Sequence, residues 1–148
     1  MSLRREDLAG AWELERFTIT FPGQEDAPLF PFGEDAQGQL VYAAGRMAAV
    51  LCRADREPLG VESLERAGRA SEAAQAAAFS SYVSYAGTYR VEGQRVIHEV
   101  THSLVPETVG AAHVREVELE GDRLVLSYEL TPASGVTRRY RLAWTRSS

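Results

Sequence analysis

Side chains able to hold or move a proton recur at alternate positions of this sequence. His98 and His102 stand among aliphatic residues at every second position, and His113 and Arg115 are spaced by two a little further on. Residues two apart on a β-strand share one face, so this spacing predicts imidazole and guanidinium groups inside a sheet. A histidine of near-neutral pKa can transfer a proton, a tyrosine can donate a hydrogen bond, and an arginine can stabilise an anion or an enolate.

A polar lining of this kind favours a cavity that holds water or a ligand, because each buried polar group left unpaired costs roughly 1–3 kcal/mol. The predicted ligand-binding residues are Tyr42, Met47, Tyr85, Tyr89, His98, His102, His113, Arg115, Tyr128, Arg138 and Tyr140. If the protein is an enzyme, the predicted catalytic residues are His98 for proton transfer, Tyr128 for hydrogen-bond donation and Arg115 for charge stabilisation. No carboxylate falls clearly on the same face to orient His98, so binding and catalysis both remain open.

The spacing of the histidines disfavours a metal site. His98 and His102 would lie roughly 13 Å apart on an extended strand, too far to share one ion. His113 could join one of them across strands, but no compact ligand motif is present. We predict no metal and no cofactor.

The elements that must position these residues are mostly strands. Alternating apolar residues between turn signals predict eight strands over 9–20, 39–43, 46–53, 87–91, 95–104, 112–119, 123–130 and 136–146. A Ser-capped, Ala-rich stretch predicts one helix over 71–84, after the third strand, and a short helical turn capped by Ser2 is expected over 3–8. The faces of the second and third strands are ambiguous. The Pro- and Phe-rich segment 22–37 is expected to be a loop, either a lid over a cavity or a plug in an ordinary core.

Two short strings near the ends of the chain bear on how the sheet closes. Gly10-Ala11-Trp12 falls on the first predicted strand and Trp144-Thr145-Arg146 on the last. Trp12 and Arg146 can meet only if those strands are neighbours. With no alternation of strands and helices to build a parallel sheet, the expectation is an all-β, eight-stranded antiparallel up-and-down barrel, which leaves no sheet edge exposed.

Composition limits the partners. Net charge is −5 without a block of like charge, which disfavours nucleic acid and anionic membrane. The single Cys52 excludes an internal disulfide framework, and the N-terminus has no apolar leader segment, so a cytoplasmic location is expected. The 148 residues are expected to form a single domain. Monomer and homodimer remain open.

An ordered set of motifs covers nearly the whole chain: Leu8-Ala9-Gly10-Ala11-Trp12, Gly38-Gln39-Leu40-Val41-Tyr42, Gly45-Arg46-Met47, Tyr82-Val83-Ser84-Tyr85-Ala86-Gly87-Thr88-Tyr89, Val96-Ile97-His98, Ser103-Leu104-Val105-Pro106, Gly110, Arg115, Gly121-Asp122-Arg123-Leu124 and Leu142-Ala143-Trp144-Thr145-Arg146. This set resembles the lipocalin-like domain family of small bacterial and fungal proteins, with calycin-type barrels. The resemblance implies that Trp12 packs under Arg146 at the closed end, a structural role. It implies no single activity, since related barrels in natural-product pathways act as cyclases or isomerases.

Two functions follow as expectations. The first is a barrel that binds a small, mostly apolar molecule, with Arg115 or Arg138 and a tyrosine holding its polar or acidic group. The alternative is a cofactor-free cyclase or isomerase of a polyketide or terpenoid pathway, in which the cavity folds the substrate and His, Tyr and Arg side chains transfer protons.

Overall fold

Eight antiparallel strands follow one another in chain order around a closed barrel, in a computed structural model that describes residues 2–147. The strands are β1 Gly10–Thr20, β2 Gln37–Ala43, β3 Arg46–Cys52, β4 Tyr82–Glu92, β5 Arg95–Ser103, β6 Ala112–Glu120, β7 Arg123–Leu130 and β8 Arg138–Arg146. β8 pairs with β1 and closes the sheet on itself. The predicted eight-stranded up-and-down barrel is confirmed.

The helices are shorter than the sequence predicts. α1 spans Arg5–Leu8 and α2 spans Glu72–Ser80, with 3₁₀ turns over Leu64–Arg69 and Pro106–Thr108. Ser71 caps α2 by accepting a hydrogen bond from the backbone N–H of Ala74 at 3.1 Å, as expected. The predicted extension of this helix to residue 84 is wrong, because Tyr82 and the residues after it pair with β3.

The first helix begins later than predicted and uses a different cap. The backbone N–H of Arg4 donates to Asp7 Oδ2 at 2.8 Å, in place of a cap at Ser2. None of the helices within residues 2–147 has the length and apolar character needed to cross a membrane.

Trp12 and Arg146 meet at the end of the barrel next to α1. They are partners in the β1–β8 register, and the Arg146 guanidinium carbon lies 4.2 Å from the Trp12 ring centre. Arg146 Nη1 donates to the Ala9 carbonyl at 2.7 Å, and Trp12 Nε1 donates to the Leu8 carbonyl at 2.9 Å. The predicted contact between Trp12 and Arg146 is confirmed, and the hydrogen bonds of the two side chains hold α1 against this end of the barrel.

A bulge in β5 changes which side chains face inward. Ala86 pairs with His102 but Gly87 pairs with Val100, so Thr101 is an extra residue on β5. Strict alternation predicted His102 inside the barrel. That prediction is wrong, because the bulge turns His102 to the exposed outer face and Ser103 inward. Gly87 permits the close approach, since a Cβ built there would lie 1.8 Å from the Glu99 carbonyl oxygen.

The faces that the sequence left ambiguous on β2 and β3 are defined by burial. Leu40 and Tyr42 of β2 and Met47, Ala49 and Leu51 of β3 are buried in the core. Each set is spaced by two, as a strand with one inner face requires.

The segment between β1 and β2 is fastened to the end of the barrel opposite α1. Backbone hydrogen bonds of 2.8 and 2.9 Å join Ile19 to Leu29, and the ring of Phe32 meets Phe17 edge-on at 5.9 Å. Ala36 belongs to the buried core and Phe32 packs against it, but no residue of the loop lines the cavity that Phe17 lines. The choice between a lid and a plug for this loop therefore stays a prediction.

Candidate functional site

A cavity of about 290 Å³ occupies the interior of the barrel. Its apolar lining comprises Phe17, Leu40, Ala49, Leu51, Val83, Val105, Leu126, Leu130, Leu142 and Trp144. Its polar lining comprises Tyr85, His98, Ser103, Thr108, His113, Arg115 and Tyr128. The cavity is therefore an apolar chamber with a small set of polar groups, the usual composition of a small-molecule site.

His98 is the most deeply buried polar group of the cavity, with 1% of its surface exposed. Its Nε2 lies 2.6 Å from the Tyr42 hydroxyl and its Nδ1 lies 2.7 Å from the Tyr85 hydroxyl. β2, β4 and β5 thus bring three predicted site residues into one chain of hydrogen bonds. Tyr42 lies behind His98, outside the cavity lining, and Tyr85 reaches the cavity.

Burial controls the protonation of this chain. It lowers the pKa of His98 to about 3, and the nearby Arg115 and His113 act in the same direction. Burial also raises the pKa of Tyr85 to about 12 and that of Tyr42 well above its ordinary value. The expectation of a near-neutral pKa for His98 is wrong, because desolvation disfavours the charged imidazolium. At neutral pH all three groups are uncharged.

Arg115 enters the cavity from β6 and lies against an aromatic stack. Its guanidinium carbon is 3.6 Å from the centre of the Tyr128 ring, and Tyr128 stacks on Tyr140 at 4.8 Å with the rings nearly parallel. Its Nη1 donates to the Val114 carbonyl at 3.2 Å. Within residues 2–147 no carboxylate forms a salt bridge with Arg115. The cavity therefore holds a positive charge without a negative partner from the described chain.

His113 stands opposite His98 across the β5–β6 pair. Its ring meets the edge of the Tyr85 ring at 5.2 Å. Burial, and then the charge of Arg115, lowers the pKa of His113 below its ordinary value. His113 is thus a neutral neighbour of Arg115.

The remaining predicted site residues lie away from the cavity surface. Met47 and Tyr89 are buried in the core without lining the cavity. Tyr140 stacks on the lining residues Phe17 and Tyr128 without lining the cavity itself. Arg138 is half-buried, and its Nε lacks a hydrogen-bond partner in the described chain. His102 faces outward, where its Nδ1 lies 2.9 Å from Thr101 Oγ1. Of the predicted site residues, only Tyr85, His98, His113, Arg115 and Tyr128 line the cavity.

Two polar lining residues were missed by the sequence analysis. Ser103 Oγ accepts from the backbone N–H of Val105 at 3.1 Å, and Thr108 Oγ1 donates to the Val105 carbonyl at 2.8 Å. Both hydroxyls stabilise the turn after β5. The hydroxyl residues flanking Pro106 are a signal for that turn, but the entry of Ser103 into the cavity depends on the bulge at Thr101.

The described residues, 2–147, contain no group of three or more His, Cys, Asp or Glu side chains arranged to hold a metal ion. His98 has both ring nitrogens engaged by tyrosines and lacks a free lone pair for an ion.

Most of the chain is similar to a known protein family. Residues 9–147 match a family model described as a lipocalin-like domain. Zebrafish ileal bile acid-binding protein, in a crystal structure with cholic acid, is 16% identical, with 95% of this chain and 99% of that chain covered and a TM-score of 0.40. A variant of the fluorescent protein UnaG is 15% identical, with 97% and 98% of the two chains covered and a TM-score of 0.38. No curated protein matches the chain.

Proposed function

Because the chain belongs to the lipocalin-like domain family, we propose that its barrel binds one small, mostly apolar molecule whose acidic group lies against Arg115. The observation that carries the proposal is the guanidinium of Arg115, which no carboxylate of residues 2–147 pairs with, in a chamber lined mostly by apolar side chains. The proposal concerns binding without turnover.

The charge of Arg115 supports an acidic ligand. An arginine stays protonated under all physiological conditions, and a partly buried charge is costly unless it is paired. Some arginines on the outer surface, among them Arg95 and Arg139, have glutamate partners. A ligand carboxylate would provide for Arg115 the partner that the described residues do not.

The size and lining of the chamber support a small, apolar ligand body. About 290 Å³ is just below the range of roughly 300–1,000 Å³ that is usual for ligand pockets, which suits a small ligand. Leucine, valine and aromatic side chains supply most of the lining, so burial of an apolar ligand body would provide the main driving force.

A cyclase or isomerase role has weaker support. It would require a group that accepts a proton near neutral pH, and His98 was the candidate. Burial lowers the pKa of His98 to about 3, and tyrosine hydroxyls occupy both of its nitrogens. We therefore favour binding over catalysis.

The proposal is tested with three probes that share one alkyl chain, namely decanoate, decanol and decylamine. Calorimetric titration should give decanoate the highest affinity, about tenfold above decanol, and decylamine the lowest. Arg115→Met should reduce the affinity for decanoate to that for decanol. Arg141→Met removes an exposed arginine on β8 as a matched control and should leave all three affinities unchanged.

Two results would contradict the proposal. Equal affinities for the acid, the alcohol and the amine would show that the site does not select an acidic group on its ligand. Failure of all three probes to bind at millimolar concentration would remove the assignment of an apolar binding chamber.

A further inference from the structure

Hydrogen bonds join Tyr42, His98 and Tyr85 in a buried chain. The direction of donation along this chain, from one hydroxyl through the imidazole to the other, is not used by the proposed function. A neutral imidazole has one nitrogen that donates and one that accepts. Both nitrogens of His98 contact a tyrosine hydroxyl, at 2.6 and 2.7 Å. One tyrosine must therefore donate to His98 while the other accepts from it.

The surroundings of Tyr42 determine that direction. Tyr42 is fully buried, and within residues 2–147 its hydroxyl has no hydrogen-bond partner other than His98 Nε2. If Tyr42 accepted a proton from His98, its own O–H would be buried without an acceptor, which is unfavourable. Tyr42 therefore donates to Nε2, and the ring proton resides on Nδ1.

Tyr85 connects the direction of donation set by Tyr42 to the cavity. The N–H at His98 Nδ1 donates to the Tyr85 oxygen, so the proton of the Tyr85 hydroxyl is not used within the chain. Tyr85 lines the cavity beside Arg115, whose charge lowers the Tyr85 pKa against the larger effect of burial. The hydroxyl thus has a proton to donate where a ligand would lie.

We infer that Tyr42 and His98 are positioning residues that make Tyr85 a hydrogen-bond donor, so that Tyr85 and Arg115 together bind the carboxylate of the ligand. This inference rests on the proposed function for its ligand, but the direction of the chain does not. Two donating side chains in one chamber favour a ligand with an acceptor group and disfavour an amine.

The direction is tested first without any ligand. In protein carrying ¹⁵N-labelled histidine, two-bond ¹H–¹⁵N correlations distinguish a proton on Nδ1 from one on Nε2. The chain has three histidines, so His102→Ala and His113→Ala assign the signals by elimination. The expected result at neutral pH is His98 protonated on Nδ1. Protonation on Nε2 would overturn the inference and leave the proposed function intact.

The role of Tyr42 is tested by its hydroxyl alone. Tyr42→Phe removes the donor to Nε2, so signals of the Nε2–H form of His98 should appear. Tyr89→Phe is the matched control, since Tyr89 packs on Tyr42 at 4.5 Å but its hydroxyl lies outside the chain. An unchanged His98 form in Tyr42→Phe would show that Tyr42 does not set the direction.

The ligand side is tested with decanoate. Tyr85→Phe should weaken decanoate binding about tenfold, Tyr42→Phe should weaken it by a smaller factor, and Tyr89→Phe should leave it unchanged. If Tyr85→Phe binds decanoate as tightly as the wild type while Arg115→Met does not, the role of Tyr85 is wrong and the proposed function stands. If neither variant changes the affinity, both are wrong.

Discussion

The guanidinium carbon of Arg115 lies 3.6 Å from the centre of the Tyr128 ring. The Tyr128 ring in turn stacks on the ring of Tyr140, which belongs to the neighbouring strand β8. Arg115 and Tyr128 come from β6 and β7, and the contact holds the guanidinium against an aromatic surface. For a half-buried guanidinium the attraction to an aromatic face is worth about 1–2 kcal/mol. The orientation of Arg115 therefore depends on the ring of Tyr128 more than on its hydroxyl.

The first prediction separates the ring from the hydroxyl. Tyr128→Leu should weaken decanoate binding about tenfold, because Arg115 loses the surface that orients it. Tyr128→Phe keeps the ring and should stay within about threefold of the wild type by the same measure. Calorimetric titration of both variants gives the comparison, and equal losses in the two would argue for the hydroxyl.

A second prediction concerns the closed end of the barrel. Arg146→Met removes a cation–π contact with Trp12 and hydrogen bonds to the carbonyls of Ala9 and Asp7. The free energy of unfolding in urea should fall by about 2 kcal/mol. Decanoate affinity should not change, because Arg146 does not line the cavity. A loss of affinity without a loss of stability would assign this pair to the site.

Gly87 gives a third prediction, on backbone packing at the bulge. A Cβ at this position would lie 1.8 Å from the Glu99 carbonyl oxygen, so Gly87→Ala must separate β4 from β5. We expect a loss of about 3 kcal/mol or more in the free energy of unfolding. Gly68→Ala is the control, since a Cβ there meets nothing within 4 Å. Equal stability of the two variants would show that the strands accommodate the methyl group.

The fourth prediction is a pH dependence. Burial lowers the pKa of His98 from its ordinary value of 6.5 to about 3 in the folded protein. As the pH falls below about 6.5 the unfolded chain takes up a proton on this ring, while the folded protein does not until about pH 3. The free energy of unfolding should therefore decrease on acidification, by up to about 1.4 kcal/mol per pH unit from this group.

Urea unfolding at about pH 7 and about pH 5 measures this contribution together with that of His113, whose pKa is also lowered. The His98 share amounts to about 2 kcal/mol over that interval. His98→Gln should remove that share, and His102→Ala should retain it, since His102 is exposed. If His98→Gln keeps the full pH dependence of the wild type, the lowered pKa is not the cause.

The sequence was sufficient for the parts of the fold that follow from local pattern. Trp12 and Arg146 predicted the closure of β1 on β8 because their contact requires neighbouring strands. Alternation placed His98, His113 and Arg115 on inner faces, where the structure has them. These predictions succeed because side chains on a regular strand alternate strictly.

The missed features depend on contacts between distant segments. His102 and Ser103 exchange faces at a bulge that is set by the approach of Gly87 to Glu99, which no local pattern encodes. The Ala-rich stretch predicts a helix that continues past Tyr82, where β4 begins. Pairing of these residues with β3 overrides that helix propensity. The lowered pKa of His98 likewise follows from burial by the whole barrel.

Binding of an acid inside the barrel is tested most directly by a crystal structure of the protein with decanoate. Electron density for the alkyl chain should lie inside the barrel, beside Leu126 and Trp144. The carboxylate should lie within hydrogen-bond distance of both the Arg115 guanidinium and the Tyr85 hydroxyl. A carboxylate directed away from Arg115, or a ligand bound only on the outer surface, would contradict the proposed function.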